Sequence, residues 1–111
     1  MEYMLFIASD SEPDASPEQP GEIEAWIEEG KRRGIRKTGN RLRPNEDATT
    51  VRIRGGELLV TDGPFSESKE WIAGFDIIEC ENLDEAIDFV SRHPMARAGR
   101  IEIRPFWPAE F

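Results

Sequence analysis

The chain has one cysteine, one histidine and one tyrosine in 111 residues, and no apolar run approaches the ~18 residues of a membrane-spanning helix. A lone thiol excludes an internal disulfide and a cysteine metal cluster, and it fits a reducing compartment. Lysine and arginine are missing from residues 1–30, which hold nine carboxylates, whereas the rest of the chain carries 14 charges of each sign. The net charge of −9 therefore arises entirely at the N-terminal end. With a pI near 4.6 the field of the whole molecule repels a polyanion, so no nucleic acid is expected as a partner. Residues 1–10 lack a basic stretch and a long apolar core, which is the pattern of a cytoplasmic protein rather than a secreted one. The length is that of a single domain, residues 1–111.

What is present alternates between strand and helix patterns. Tyr3 to Ala8 form a continuous apolar run ended by the turn-forming residues 9–14, which predicts a strand buried on both faces. Ile23, Trp26, Ile27 and Gly30 recur at helical spacing, Pro20 suits a first turn and Gly34 a left-handed stop, so a helix is expected over about 20–33. Residues 35–48 carry turn signals and a short strand near 36–42. Residues 49–54 and 57–61 alternate in polarity about Gly55-Gly56, the signature of a β-hairpin. In that register Arg54 faces Glu57, Ile53 faces Leu58, Val51 faces Val60 and Thr50 faces Thr61. A further strand is expected over 72–80. Asn82 and Glu85 then form a capping box before a helix whose inner stripe reads Leu83, Ala86, Ile87 and Val90. Residues 100–104 alternate strictly, as an edge strand with one wet face does.

The resulting order, β-α-(β)-β-β-β-α-β, is an α+β pattern of the ferredoxin-like split βαβ type with an added hairpin strand. Strands 3–8 and 72–80 are apolar on both faces, which places them in the middle of the sheet. Helices cover one face only, and the residues left over are too few to cover the other, so a homodimer with facing sheets is expected. Seven of the 14 cations fall within residues 31–43. Their plain role is to end a helix that begins with acids, where they meet the negative end of its dipole.

Thr61-Asp62-Gly63-Pro64-Phe65-Ser66-Glu67-Ser68-Lys69-Glu70 is the chemically richest stretch. Asp62 suits an Asx turn, Gly63 and Pro64 suit the sharp backbone, and Phe65 suits an anchor. Glu67, Lys69 and Glu70 place two carboxylates and an ammonium close to that turn, where they either line a polar pocket or form a solvated loop. This stretch resembles the DGPFxExKE signature of the DGPF branch of YCII-related proteins. The likeness extends to the opening strand, the hairpin, Gly74-Phe75, Leu83-Asp84-Glu85-Ala86 and Ile101-Glu102-Ile103-Arg104-Pro105. It implies a dimeric α+β barrel and, from some members of the branch, a functional link to an extracytoplasmic-function sigma factor.

In the wider YCII-related group a His and an Asp are proposed as an acid/base pair, and a chlorohydroxyhydroquinone dehydrochlorinase is a relative. That histidine belongs near the first strand and helix. Here the one imidazole is His93, which follows the second helix and reads as a residue facing its dipole. Two functions follow. The first is a dimeric module that binds a small molecule or a protein partner, linked to stress or a sigma factor. The second is a lyase or dehydrochlorinase-like enzyme in which Asp62, Glu67, Lys69 and Glu70 are the candidate catalytic residues. No cofactor and no metal are expected. Asp10, Glu12 and Asp14 alternate like a calcium loop, but Ala15 stands where the loop needs glycine. Cys80 lies between Glu79 and Glu81, whose charges raise a thiol pKa.

Overall fold

A computed structural model of the chain describes residues 1–14, 18–64 and 71–108. The elements run β1 (Glu2–Ser9), α1 (Glu22–Arg32), β2 (Arg36–Arg41), a 3₁₀ turn (Asn45–Asp47), β3 (Thr49–Arg54), β4 (Glu57–Asp62), β5 (Ile72–Glu79), α2 (Leu83–Val90), α3 (Met95–Ala98) and β6 (Gly99–Pro105). The fold is α+β. Four strands form an antiparallel sheet in the order β2-β5-β1-β6, so the two strands that are apolar on both faces sit inside and the one-sided strand at an edge. Gly34 adopts φ 69° just beyond α1, and its N–H bonds the Lys31 carbonyl, so the helix stops where a residue without Cβ permits it. At α2 the Asn82 side chain accepts the Glu85 N–H at 2.9 Å. The reciprocal arm of the capping box reaches one residue further out, Glu85 accepting from the Glu81 N–H at 2.9 Å.

One face of the sheet presents Tyr3, Leu5 and Ile78 to Trp26 of α1 and to Ala86, Phe89 and Val90 of α2. Trp26 stacks on Phe89 with ring centroids 4.4 Å apart, and its indole N–H donates to the Phe89 carbonyl at 2.9 Å. The expected inner stripe of α2 needs correcting, because Leu83 and Ile87 are 48% and 49% exposed while Phe89 is fully buried. Phe89 is the bulkiest side chain of the helix and the one that meets Trp26, so the buried face follows Ala86, Phe89 and Val90, and Leu83 and Ile87 turn outward. On the other face Met4, Phe6, Phe75 and Ile77 are half-buried, with the Arg104 guanidinium 5.0 Å from the Phe6 ring centre.

β3 and β4 pair in the expected register, with Gly55 and Gly56 at φ 58° and 78° making the turn. They form a two-stranded sheet of their own instead of adding a strand to the main one. Among the described residues neither hairpin strand packs extensively on another element. The molecule measures 47 × 41 × 19 Å, and its thinnest dimension is about one sheet plus one layer of helices.

Candidate functional site

The site is assembled between the N-terminal half of α1 and the β2–β5 edge. Arg36 reaches across to β5 and donates from Nε to the Asp76 Oδ1 at 2.7 Å. Gly39 lies opposite Asp76 in the β2–β5 register, and a Cβ there would stand 2.0 Å from Oδ1. Glycine at 39 therefore makes room for the ion pair. Burial raises the Asp76 pKa above the ordinary carboxylate value, and the hydrogen bond and charge of Arg36 oppose that rise.

His93 sits in the turn between α2 and α3, its ring edge-on to Trp26 with centroids 4.6 Å apart. Its Nδ1 accepts the Met95 N–H at 2.9 Å, which leaves the ring proton on Nε2. Burial, with the nearby Arg36 charge, lowers its pKa to about 4. The imidazole is therefore neutral near pH 7, with its Nε2–H available to donate. This overturns the expectation of a helix-end histidine facing the dipole: the ring is only 4% exposed and carries no charge to offer it.

Arg36, Asp76 and His93 line a cleft of about 740 Å³ between α1, the β2–β5 edge and the α2–α3 turn. Ile7, Ile23, Ile27 and Met95 supply apolar wall, and Glu18, Glu24 and Arg41 are its other charged residues. The volume is that of a small-molecule site, in the range of ~300–1,000 Å³. Among the described residues the terminal nitrogens of Arg36, Asp76 Oδ2 and His93 Nε2 make no hydrogen bond. The buried and half-buried groups open to a ligand are thus the Arg36 and His93 donors beside the Asp76 carboxylate, and the exposed Glu18 and Glu24 add two carboxylates to the lining.

Asp62 lies elsewhere. It ends β4 opposite Thr49, exposed on the outlying hairpin, and its carboxylate has no hydrogen-bond partner among the described residues. The signature starts from a fixed point, since Gly63 (φ 104°) donates to the Ala48 carbonyl at 2.8 Å and accepts from Thr50 Oγ1 at 2.7 Å. Phe65, Glu67, Lys69 and Glu70 lie outside the described residues. Trp71 is half-buried, tied to Ser9 by two 2.9 Å hydrogen bonds, and does not line the cleft. The Cys80 thiol is pushed up to about 11 by burial first and by Glu85 second, so the carboxylate that matters is one turn into α2 rather than a chain neighbour.

The basic segment is spent largely on ion pairs: Arg33 with Glu29, Arg36 with Asp76, Lys37 with Glu79 and Arg43 with Asp47. Sequence reasoning passed over Arg36 and Asp76. The available signal was a carboxylate inside the run Phe75-Asp76-Ile77-Ile78, since a charge in the middle of an interior strand requires a partner.

A family model described as the YCII-related domain matches residues 1–110. The chain belongs to the YCII-related family. A relative of this YCII-related chain, 46% identical over 67 residues, is an uncharacterized protein of Rhizobium meliloti (strain 1021). The match covers 59% of this chain and 54% of that protein, so it spans about half the relative's length. Among the described residues, no helix is long and apolar enough to cross a membrane, and no group of three or more His, Cys, Asp or Glu is placed to hold a metal ion.

Proposed function

We propose that this YCII-related chain is a cytoplasmic small-molecule-binding module of the DGPF branch, ferredoxin-like in topology and working as a homodimer with facing sheets. The observation that carries the binding reading is the convergence of Arg36, Asp76 and neutral His93 on an apolar cleft of about 740 Å³. Donors that lack partners in a largely apolar setting select a small, planar, mostly apolar molecule bearing a carbonyl or carboxylate. The half-buried Met4, Phe6, Phe75 and Ile77 support the facing sheets. The sigma-factor link is supported by the branch resemblance alone.

A second, enzymatic reading has its own observation in Asp76. A carboxyl whose proton affinity is raised by burial is what general acid/base chemistry needs, and it stands in the cleft instead of the signature loop. A thermal-shift screen of planar carbonyl and carboxylate compounds, followed by amide NMR titration of each hit, tests the proposal. Hits should raise the melting temperature and shift the Gly39, Gly74 and His93 amides together with the Trp26 indole N–H. Shifts confined to Asp62 and Gly63 would move the site to the signature loop, and conversion of a hit into product would favour the lyase reading. Absence of any hit would contradict binding.

A further inference from the structure

The β3–β4 hairpin carries four large apolar residues on one face, Val51, Ile53, Leu58 and Val60, each between 60% and 64% exposed. They form two directly opposed pairs, Val51 with Val60 and Ile53 with Leu58, so the patch is continuous. Isolated two-stranded hairpins are marginal in water, and among the described residues this one packs extensively on no other element. The opposite hairpin face is mostly polar, with Thr50, Arg52, Arg54, Glu57 and Thr61 around a half-buried Leu59. A continuous exposed patch of four large apolar side chains marks a contact surface.

Area identifies that neighbour. A folded monomer of this mass exposes roughly 6,200 Å², whereas the chain exposes 8138 Å². The excess of about 1,900 Å² is more than twice the ~800 Å² that each partner contributes to a stable interface. The radius of gyration, 16.2 Å, likewise exceeds the ~13 Å of a compact domain of this length. A chain with two open apolar surfaces, a sheet face and a hairpin face, can close both against a second copy by one twofold axis.

We propose that the β3–β4 hairpin is an exchanged arm, its Val51, Ile53, Leu58 and Val60 face seated on a second copy at the rim of the sheet-to-sheet interface. This rests on the homodimer reading given above. It adds that the arm, and not the sheet face alone, holds the dimer together. The pattern of two hairpins reaching outward also explains why the turn is a tight Gly-Gly: both residues take positive φ, so the arm ends without a bulky loop.

The test compares the full chain with Ile53→Asp/Leu58→Asp, and with the milder Val51→Thr/Val60→Thr as a variant that keeps strand propensity. Light scattering across a dilution series gives the mass, and circular dichroism confirms that each chain is folded. The expected result is twice 12.7 kDa for the parent and at least a hundredfold weaker association for the aspartate variant, with the threonine variant intermediate. A parent chain of 12.7 kDa at micromolar concentration would overturn both the dimer and the arm. A dimeric parent whose association is unchanged by both variants would overturn the arm and leave the facing-sheet dimer standing.

Discussion

The two sheets of this chain each present an apolar face, and the two faces reach opposite ends. In the four-stranded sheet the inward residues meet Trp26 and Phe89, and Leu5 and Ile78 lose all contact with solvent. In the hairpin the same kind of residue, at the same period, stays about 60% exposed. Alternation alone therefore creates a face, and a packing partner is needed to make it a core. The first sheet finds its partner within the chain, and the cleft forms beside the N-terminal half of α1. Among the described residues the second does not.

Substitutions should separate the two regions. Phe89→Ala removes the centre of the packed half and is expected to cost about 3–5 kcal/mol in chemical denaturation. A loss below 1 kcal/mol would show that the helices are not anchored there. His93 gives the next largest effect, through pH. Its folded pKa of about 4 lies below the 6.5 of an exposed histidine, so the unfolded chain binds the proton more readily. Stability from the neutral ring is complete above pH 6.5 and is lost as pH falls through that value toward 4, an effect on the order of 3 kcal/mol. Asp76 runs the other way. Its raised pKa favours the folded state below the ordinary carboxylate value of 3.8, and that contribution fades as pH rises through its folded pKa. Denaturant melts of the parent and His93→Gln at pH 4 and pH 7 isolate the histidine part, and identical pH slopes would contradict it.

Smaller effects lie at the edges. Asn82→Ala should cost about 1 kcal/mol by leaving the Glu85 N–H without its cap. Ile53→Ser, in chains diluted until monomeric, should fall within about 0.5 kcal/mol because the side chain is 64% exposed there. A cost like that of Phe89→Ala would mean that the hairpin packs on its own chain.

Much of the fold was legible because it is local. The tight Gly-Gly turn dictated the hairpin register, Asn82 with Glu85 marked the start of α2, Gly34 the end of α1, and double-sided apolarity put β1 and β5 inside the sheet. The inner face of α2 was not legible, because Leu83 and Ile87 satisfy helical periodicity as well as Ala86 and Phe89 do. Only contact with Trp26 decides between them. The cleft escaped for the same reason. Arg36, Asp76 and His93 come from β2, β5 and a turn, far apart in the chain, and meet only through the strand order β2-β5-β1. The signature loop attracted attention by its density of charge, whereas the cleft is marked by single charges buried among apolar residues.

Hydrogen exchange of the full chain at several concentrations, read separately for β1–β5 and β3–β4 amides, tests most directly whether the hairpin is finished by a second copy. The β1–β5 amides should be protected at every concentration, while β3–β4 protection should be high in concentrated solution and fall as dilution separates the copies. Hairpin protection that stays the same down to concentrations where the chain is monomeric, whether high or absent, would contradict the account.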